Sequence, residues 1–122
     1  MGKRVVLIQD DSDCREIMGL ILEGEGFEVI TLNTAQVLNN PPDFDMAIVD
    51  EYAESKTGCE ICMLLKENYT TSSKPVLFTS TRPGIEKRAE VCKADNYMAK
   101  PFDISHFANL VKSFFYVEAL CA

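Results

Sequence analysis

Aspartates stand where two apolar runs end. Val5-Val6-Leu7-Ile8 leads into Asp10-Asp11, and Met46-Ala47-Ile48-Val49 leads into Asp50. A third run, Val76-Leu77-Phe78, ends in Thr79-Ser80-Thr81, and Asn96-Tyr97-Met98 is followed by Lys100-Pro101-Phe102. Carboxylates brought together in one crevice repel each other unless a cation offsets their charge. Magnesium suits such a place, because it takes one or two carboxylates together with waters and phosphate oxygens. With the charge offset, one carboxylate can attack phosphorus and form an acyl phosphate. Lys100 can then neutralise one phosphoryl oxygen and a hydroxyl from Ser80 can donate to another.

Taken singly, each piece has an ordinary reading. An Asp pair caps helices, a Lys-Pro dipeptide makes turns, and a serine after a strand is a turn former. The weight lies in their order, since all fall at successive strand ends of one alternating pattern.

That pattern runs the length of the chain. The continuous apolar runs read as strands buried on both faces, Phe27 to Leu32 as a strand nearer an edge, and Asn96-Tyr97-Met98 as a short fifth strand. Between them lie helices: Ile17, Leu20 and Ile21 on one face before Gly24 and Gly26, and a short one over Thr34 to Leu38. Gly58 opens a helix carrying Ile61, Cys62 and Leu65, and Pro83 opens one with Ile85, Ala89 and Cys92. Asp103 caps a last helix with the stripe Phe107, Leu110, Val111 and Phe114. The alternation βαβαβαβαβα predicts an α/β fold, a three-layer sandwich of parallel strands joined by right-handed crossovers. A flavodoxin-like (βα)5 arrangement would give it the parallel sheet order 2-1-3-4-5. That order makes strands one and three neighbours, and sites in such sheets lie beyond the carboxyl ends of the strands.

Composition limits the alternatives. The 122 residues suit one domain over 1–122, and 47% hydrophobic with 25% charged residues is ordinary for a globular chain. The net charge of −7 argues against direct nucleic-acid binding, which uses basic patches. No apolar run approaches the roughly 20 residues of a membrane span, so a cytoplasmic protein with no membrane association is expected. Five cysteines without a secretory signal read as reduced thiols packed on helices. Cys59 and Cys62 form a C-x-x-C pair, but no second pair stands at zinc spacing.

The chain resembles the response-regulator receiver family over essentially its whole length. Val-Leu-Ile-Gln-Asp-Asp-Ser looks like that family's first strand with its acidic pair, and the interval from Asp50 to Gly58 matches that from acceptor to third helix. Lys-Pro-Val-Leu-Phe-Thr-Ser looks like the fourth strand, which puts the switch hydroxyl on Ser80 rather than Thr79. Ala-Asp-Asn-Tyr-Met-Ala-Lys-Pro-Phe is similar to the fifth, with Tyr97 in the aromatic switch position.

The resemblance implies two-component signalling. Asp50 is the phosphoacceptor, and Asp10, Asp11, Asp50 and the backbone carbonyl of Tyr52 hold Mg2+. Ser80 and Lys100 bind the phosphoryl group, across a Lys100-Pro101 bond that is cis in much of the family. The donor is a sensor histidine kinase or a histidine phosphotransfer protein, and a downstream protein or output domain reads the face of helix 4, strand 5 and helix 5. The chain is then no enzyme but a signalling phosphoacceptor, self-phosphorylating from small donors and slow to lose its phosphate. Tyr52, Thr81 and Arg82 flank the path of the hydrolytic water and tune that loss.

Ala53 and Glu54 depart from the family's usual Met-Pro, and Lys93 stands where glycine is common. A receiver-like interaction module that works without phosphorylation is the alternative, and retention of all five reactive side chains argues against it. A flavodoxin-like carrier would need a phosphate cradle where Asp10 and Asp11 stand, and a dehalogenase-type phosphatase would need an acid where Tyr52 stands.

Overall fold

The strands alternate their side chains between two cores. The computed structural model describes residues 2–39, 42–52 and 57–115, with five strands and five helices in strict alternation. These are β1 (Arg4–Ile8), α1 (Ser12–Gly24), β2 (Glu28–Thr31), α2 (Thr34–Asn39), β3 (Met46–Asp50), α3 (Gly58–Glu67), β4 (Val76–Ser80), α4 (Ile85–Val91), β5 (Asn96–Ala99) and α5 (Ile104–Ser113). All strands are parallel, in the order β2-β1-β3-β4-β5. The anticipated three-layer (βα)5 sandwich is therefore the observed architecture.

Because strand side chains point to opposite faces in turn, Val6 and Ile8 join Ala47, Val49 and Phe78 in a core with α3 and α4. Val5 and Leu7 join Met46, Ile48 and Leu77 in a second core, covered by Met18 and Leu22 of α1 and Phe107 and Val111 of α5. Burying each of these large side chains contributes about 1.5–3 kcal/mol. The central strands β1, β3 and β4 are buried almost throughout, whereas the edge strand β2 is exposed or partly buried along its length.

Three local expectations change. In α1 the core-facing residues are Met18 and Leu22, with Ile21 packed beside them, while Ile17 and Leu20 are 49% and 64% exposed. Pro83 stays outside α4, whose N-cap is Gly84 in the left-handed region at φ 76°. The cysteines are not all free thiols: Cys59 of α3 is joined by a disulfide to Cys92 at the C-cap of α4, with Cα atoms 5.1 Å apart. Its partner is thus 33 residues away and not Cys62, a pairing that sequence spacing does not reveal. Cys14 and Cys62 are free among the described residues, and Cys121 lies outside them.

Candidate functional site

Asp50 ends β3 inside the molecule, only 5% exposed, and its position is set by backbone on both sides. On one side β4 runs in register, Asp50 against Thr79, and Glu51 N–H donates to the Thr79 carbonyl at 2.8 Å. On the other side α3 begins at Gly58, whose N–H donates to the Glu51 carbonyl at 2.6 Å. Thr57 caps that helix and forms a capping box with Glu60, so the helix start is fixed locally.

The two carboxylate oxygens of Asp50 have different surroundings. Oδ1 meets the Lys100 amine at 2.5 Å and accepts from the Thr79 hydroxyl at 3.1 Å. Among the described residues, Oδ2 accepts only a long bond of 3.3 Å from the Tyr52 N–H. Lys100 follows β5 and is half-buried; its N–H donates to the Ser80 carbonyl at 2.8 Å, and the Lys100–Pro101 bond is cis. Asp50 and Lys100, named from sequence for complementary roles, are thus in direct contact.

Asp10 and Asp11 are not equivalent. Asp11 is the N-cap of α1, its Oδ1 accepting from the N–H groups of Asp13 and Cys14 at 2.9 and 3.2 Å. Asp10 is exposed and lines an open polar cavity of about 470 Å³ with Gln9, Arg15 and Asn33. Gln9, which sequence reasoning passed over, is buried: its Oε1 accepts from Asp11 N–H at 3.2 Å, and its Nε2 is buried without a hydrogen-bond partner. Among the described residues no three His, Cys, Asp or Glu side chains stand close enough to hold a metal ion. The expected convergence of Asp10, Asp11 and Asp50 is therefore not seen as a ligand cluster among the described side chains, although each is a hard oxygen donor, as is the Tyr52 carbonyl. That set still fits magnesium, which binds through one or two carboxylates and keeps several waters.

The hydroxyls divide likewise. Thr79, not Ser80, touches Asp50. Ser80 is 1% exposed and donates to Glu51 Oε1, while its oxygen accepts from Arg82 N–H at 3.0 Å. Glu51 was absent from the sequence-based set, and so was Arg88, which binds both of its carboxylate oxygens. Burial alone would raise the Glu51 carboxyl, but hydrogen bonds from Arg88 and Ser80, with the charges of Arg88 and Arg82, bring it below the ordinary glutamate value. No periodicity marks Glu51, because it lies just past the end of β3. Burial pushes the half-buried Cys14 thiol up; Lys100 opposes this, while Asp50 and Asp11 add to it.

Of the three flanking residues, Tyr52 and Arg82 meet each other. Arg82 has its guanidinium 6.0 Å from the Tyr52 ring centroid and Nη1 3.5 Å from Glu51 Oε2. Thr81 is exposed and lines an apolar cavity of about 430 Å³ with Cys14, Ile17, Lys100 and Phe102. Tyr97 is partly buried against the core beneath α4. Ala53 and Glu54 lie outside the described residues.

No family model matches the chain. It is 32% identical over 104 residues to the cell cycle response regulator CtrA of Brucella ovis, an alignment covering 81% of this chain and 44% of that protein. The receiver domain of DrrB, a Thermotoga maritima OmpR/PhoB homologue, solved in its BeF3-activated form, superposes with a TM-score of 0.82 at 25% identity, covering 93% of this chain and 97% of that one. The receiver domain of the Pseudomonas aeruginosa sensor histidine kinase PA1611, with magnesium in its active-site cleft, gives 0.82 at 14% identity over 92% and 96% of the two chains. The chain is thus similar in sequence to response regulators, and its fold is that of their receiver domains. The chain spans about half the length of the curated relatives it matches.

Proposed function

We propose that residues 1–122 act as one phosphoacceptor receiver domain, in which Asp50 takes a phosphoryl group from a sensor histidine kinase or histidine phosphotransfer protein. The observation that carries the reading is the Asp50–Lys100 contact of 2.5 Å at the carboxyl ends of β3 and β5, the second Asp50 oxygen taking only the 3.3 Å bond from Tyr52 among the described residues. In the transfer the Asp50 carboxylate attacks phosphorus, an O–P bond forms, and the P–N bond to the donor histidine breaks. Lys100 is already at the carboxylate and can follow the charge onto a phosphoryl oxygen. Asp10, Asp50 Oδ2 and the Tyr52 carbonyl would hold Mg2+, with Asp11 contributing only the oxygen its cap leaves over. Bound there, the ion would supply the positive charge that lets an anionic donor approach.

Small donors such as acetyl phosphate serve the same chemistry, so self-phosphorylation without a kinase belongs to the proposal. Ser80 then donates to a phosphoryl oxygen, and Tyr97 turns toward the space it leaves. The surface read by a downstream protein or output domain is that of α4, β5 and α5, where such a change is felt. The net charge of −7 supports a protein partner over direct nucleic-acid contact.

Intact-mass measurement after acetyl phosphate treatment with magnesium tests the core of this. Wild type is expected to gain one phosphoryl mass and Asp50→Asn none. Equal labelling of the two would remove the assignment.

A further inference from the structure

Glu51 takes no part in the transfer, yet its carboxylate is buried and held from three sides. Arg88 donates to Oε2 through Nε and to Oε1 through Nη2, the latter at 2.9 Å. Ser80 donates to Oε1, and Arg82 Nη1 lies 3.5 Å from Oε2. A serine hydroxyl has one proton to donate, and here Glu51 receives it. The same proton is what the proposed phosphoryl group on Asp50 would require from Ser80. The two acceptors compete for one donor, and only one of them can be satisfied at a time.

Arg88 also ties this competition to the loop ahead of α4. Its Nη1 donates to the Pro83 carbonyl at 2.6 Å and its Nη2 to the Arg82 carbonyl at 3.3 Å. One guanidinium therefore fixes the Glu51 carboxylate, the β4–α4 connection and the first turns of α4 together.

We infer that the Glu51–Arg88 pair is a restraining latch on Ser80, holding the hydroxyl away from Asp50 and setting how much ligand energy activation consumes. Glu51 is in this role a positioning residue that acts through Ser80. The inference rests on the phosphoacceptor reading above. A plain buried ion pair would stabilise the fold without affecting ligand affinity through Ser80, so the two differ in a measurable way.

The test is titration with beryllofluoride in magnesium, followed by 19F NMR of the bound anion, for wild type, Glu51→Gln, Ser80→Ala and the double variant. The neutral amide of Glu51→Gln keeps the size of the side chain but loses the charge-assisted hold. Beryllofluoride is expected to bind it about tenfold tighter than wild type, the order of a hydrogen bond to a charged acceptor. In the Ser80→Ala background the same substitution should give no gain. Arg88→Lys keeps the charge but cannot grip both oxygens, and a smaller gain is expected; it carries the test where Glu51→Gln does not fold. Equal affinities across wild type, Glu51→Gln and Arg88→Lys would overturn the latch while leaving the phosphoacceptor reading intact. A gain that persists in the absence of Ser80 overturns it as well. Failure of every protein to bind, wild type included, overturns the phosphoacceptor reading and the latch with it.

Discussion

Gly58 lies directly against the backbone of Asp50: a Cβ built on Gly58 would fall 2.0 Å from the Asp50 carbonyl oxygen and 2.7 Å from its carbon. The start of α3 is thereby pressed onto the end of β3, against the backbone that carries the Asp50 carboxylate. The side of the contact that would have to give is backbone, so no rotamer change relieves it.

Gly58→Ala should accordingly destabilise the fold by about 1–3 kcal/mol, as overpacking does in a filled site. Urea unfolding measures the loss, and labelling by acetyl phosphate should fall with it because Asp50 is displaced. A midpoint unchanged from wild type would show that the contact is not a constraint.

The Cys59–Cys92 disulfide closes a loop of 33 residues between α3 and α4. On the chain-entropy account such a cross-link stabilises by about 2–4 kcal/mol, by restricting the unfolded chain. Cys59→Ser should lose that amount, and wild type in reducing buffer should lose a similar amount. Coincident urea transitions for oxidised and reduced wild type would contradict the pairing.

Burial pushes the Cys62 thiol up from 9.0 to about 12, with Lys66 opposing and Asp95 adding to the shift. The folded pKa is raised, so the unfolded chain releases this proton first and stability must fall as pH climbs from 9 toward 12. The slope contributed is at most about 1.4 kcal/mol per pH unit. Denaturant unfolding at pH values on either side of 9 should show a steeper decline in wild type than in Cys62→Ala; parallel declines would assign the pH dependence elsewhere.

Tyr52 and Arg82 meet, ring under guanidinium, with Arg82 drawn toward Glu51. Hydrolysis of a phosphoryl group on Asp50 needs a water in line with phosphorus, and an arginine cannot serve as the base that orients it. Tyr52→Asn opens the approach, and Arg82→Glu adds a base while removing the Glu51 contact. Each is expected to speed loss of phosphate on the order of tenfold, read from the decay of phosphorylated protein with time. Identical decay in all three proteins would mean that neither side chain shields the group.

Much of this was legible in the chain alone. Continuous apolar runs and alternating helices predicted parallel strands in a three-layer sandwich, because strands covered on both faces need helices on either side. The order 2-1-3-4-5 was the flavodoxin-like case of that pattern, which the fold bears out. The meeting of Asp50 and Lys100 followed from strand ends, since topology fixes which ends share a crevice. The choice of Ser80 over Thr79 came from the family resemblance, and it is Thr79 that bonds Asp50. Gly58 and the Asp103 cap were readable because each answers a local backbone requirement. Lys93 also stands in the left-handed region, at φ 64°, where glycine is the easier residue.

Contacts between distant residues were not legible. Periodicity gave α1 an apolar stripe, but Met18 and Leu22, not Ile17 and Leu20, meet the sheet, because the docking angle selects among adjacent apolar faces. Only the fold separated Asp10 from Asp11, giving the second to a helix cap. It also brought Arg88 across 37 residues to Glu51, and Cys92 across 33 to Cys59. The sequence by itself determined which elements form and where their ends lie, since those follow from local spacing and burial. Which side chains those ends bring into contact was decided by the tertiary structure, because partners far apart in the chain meet only once the layers have packed.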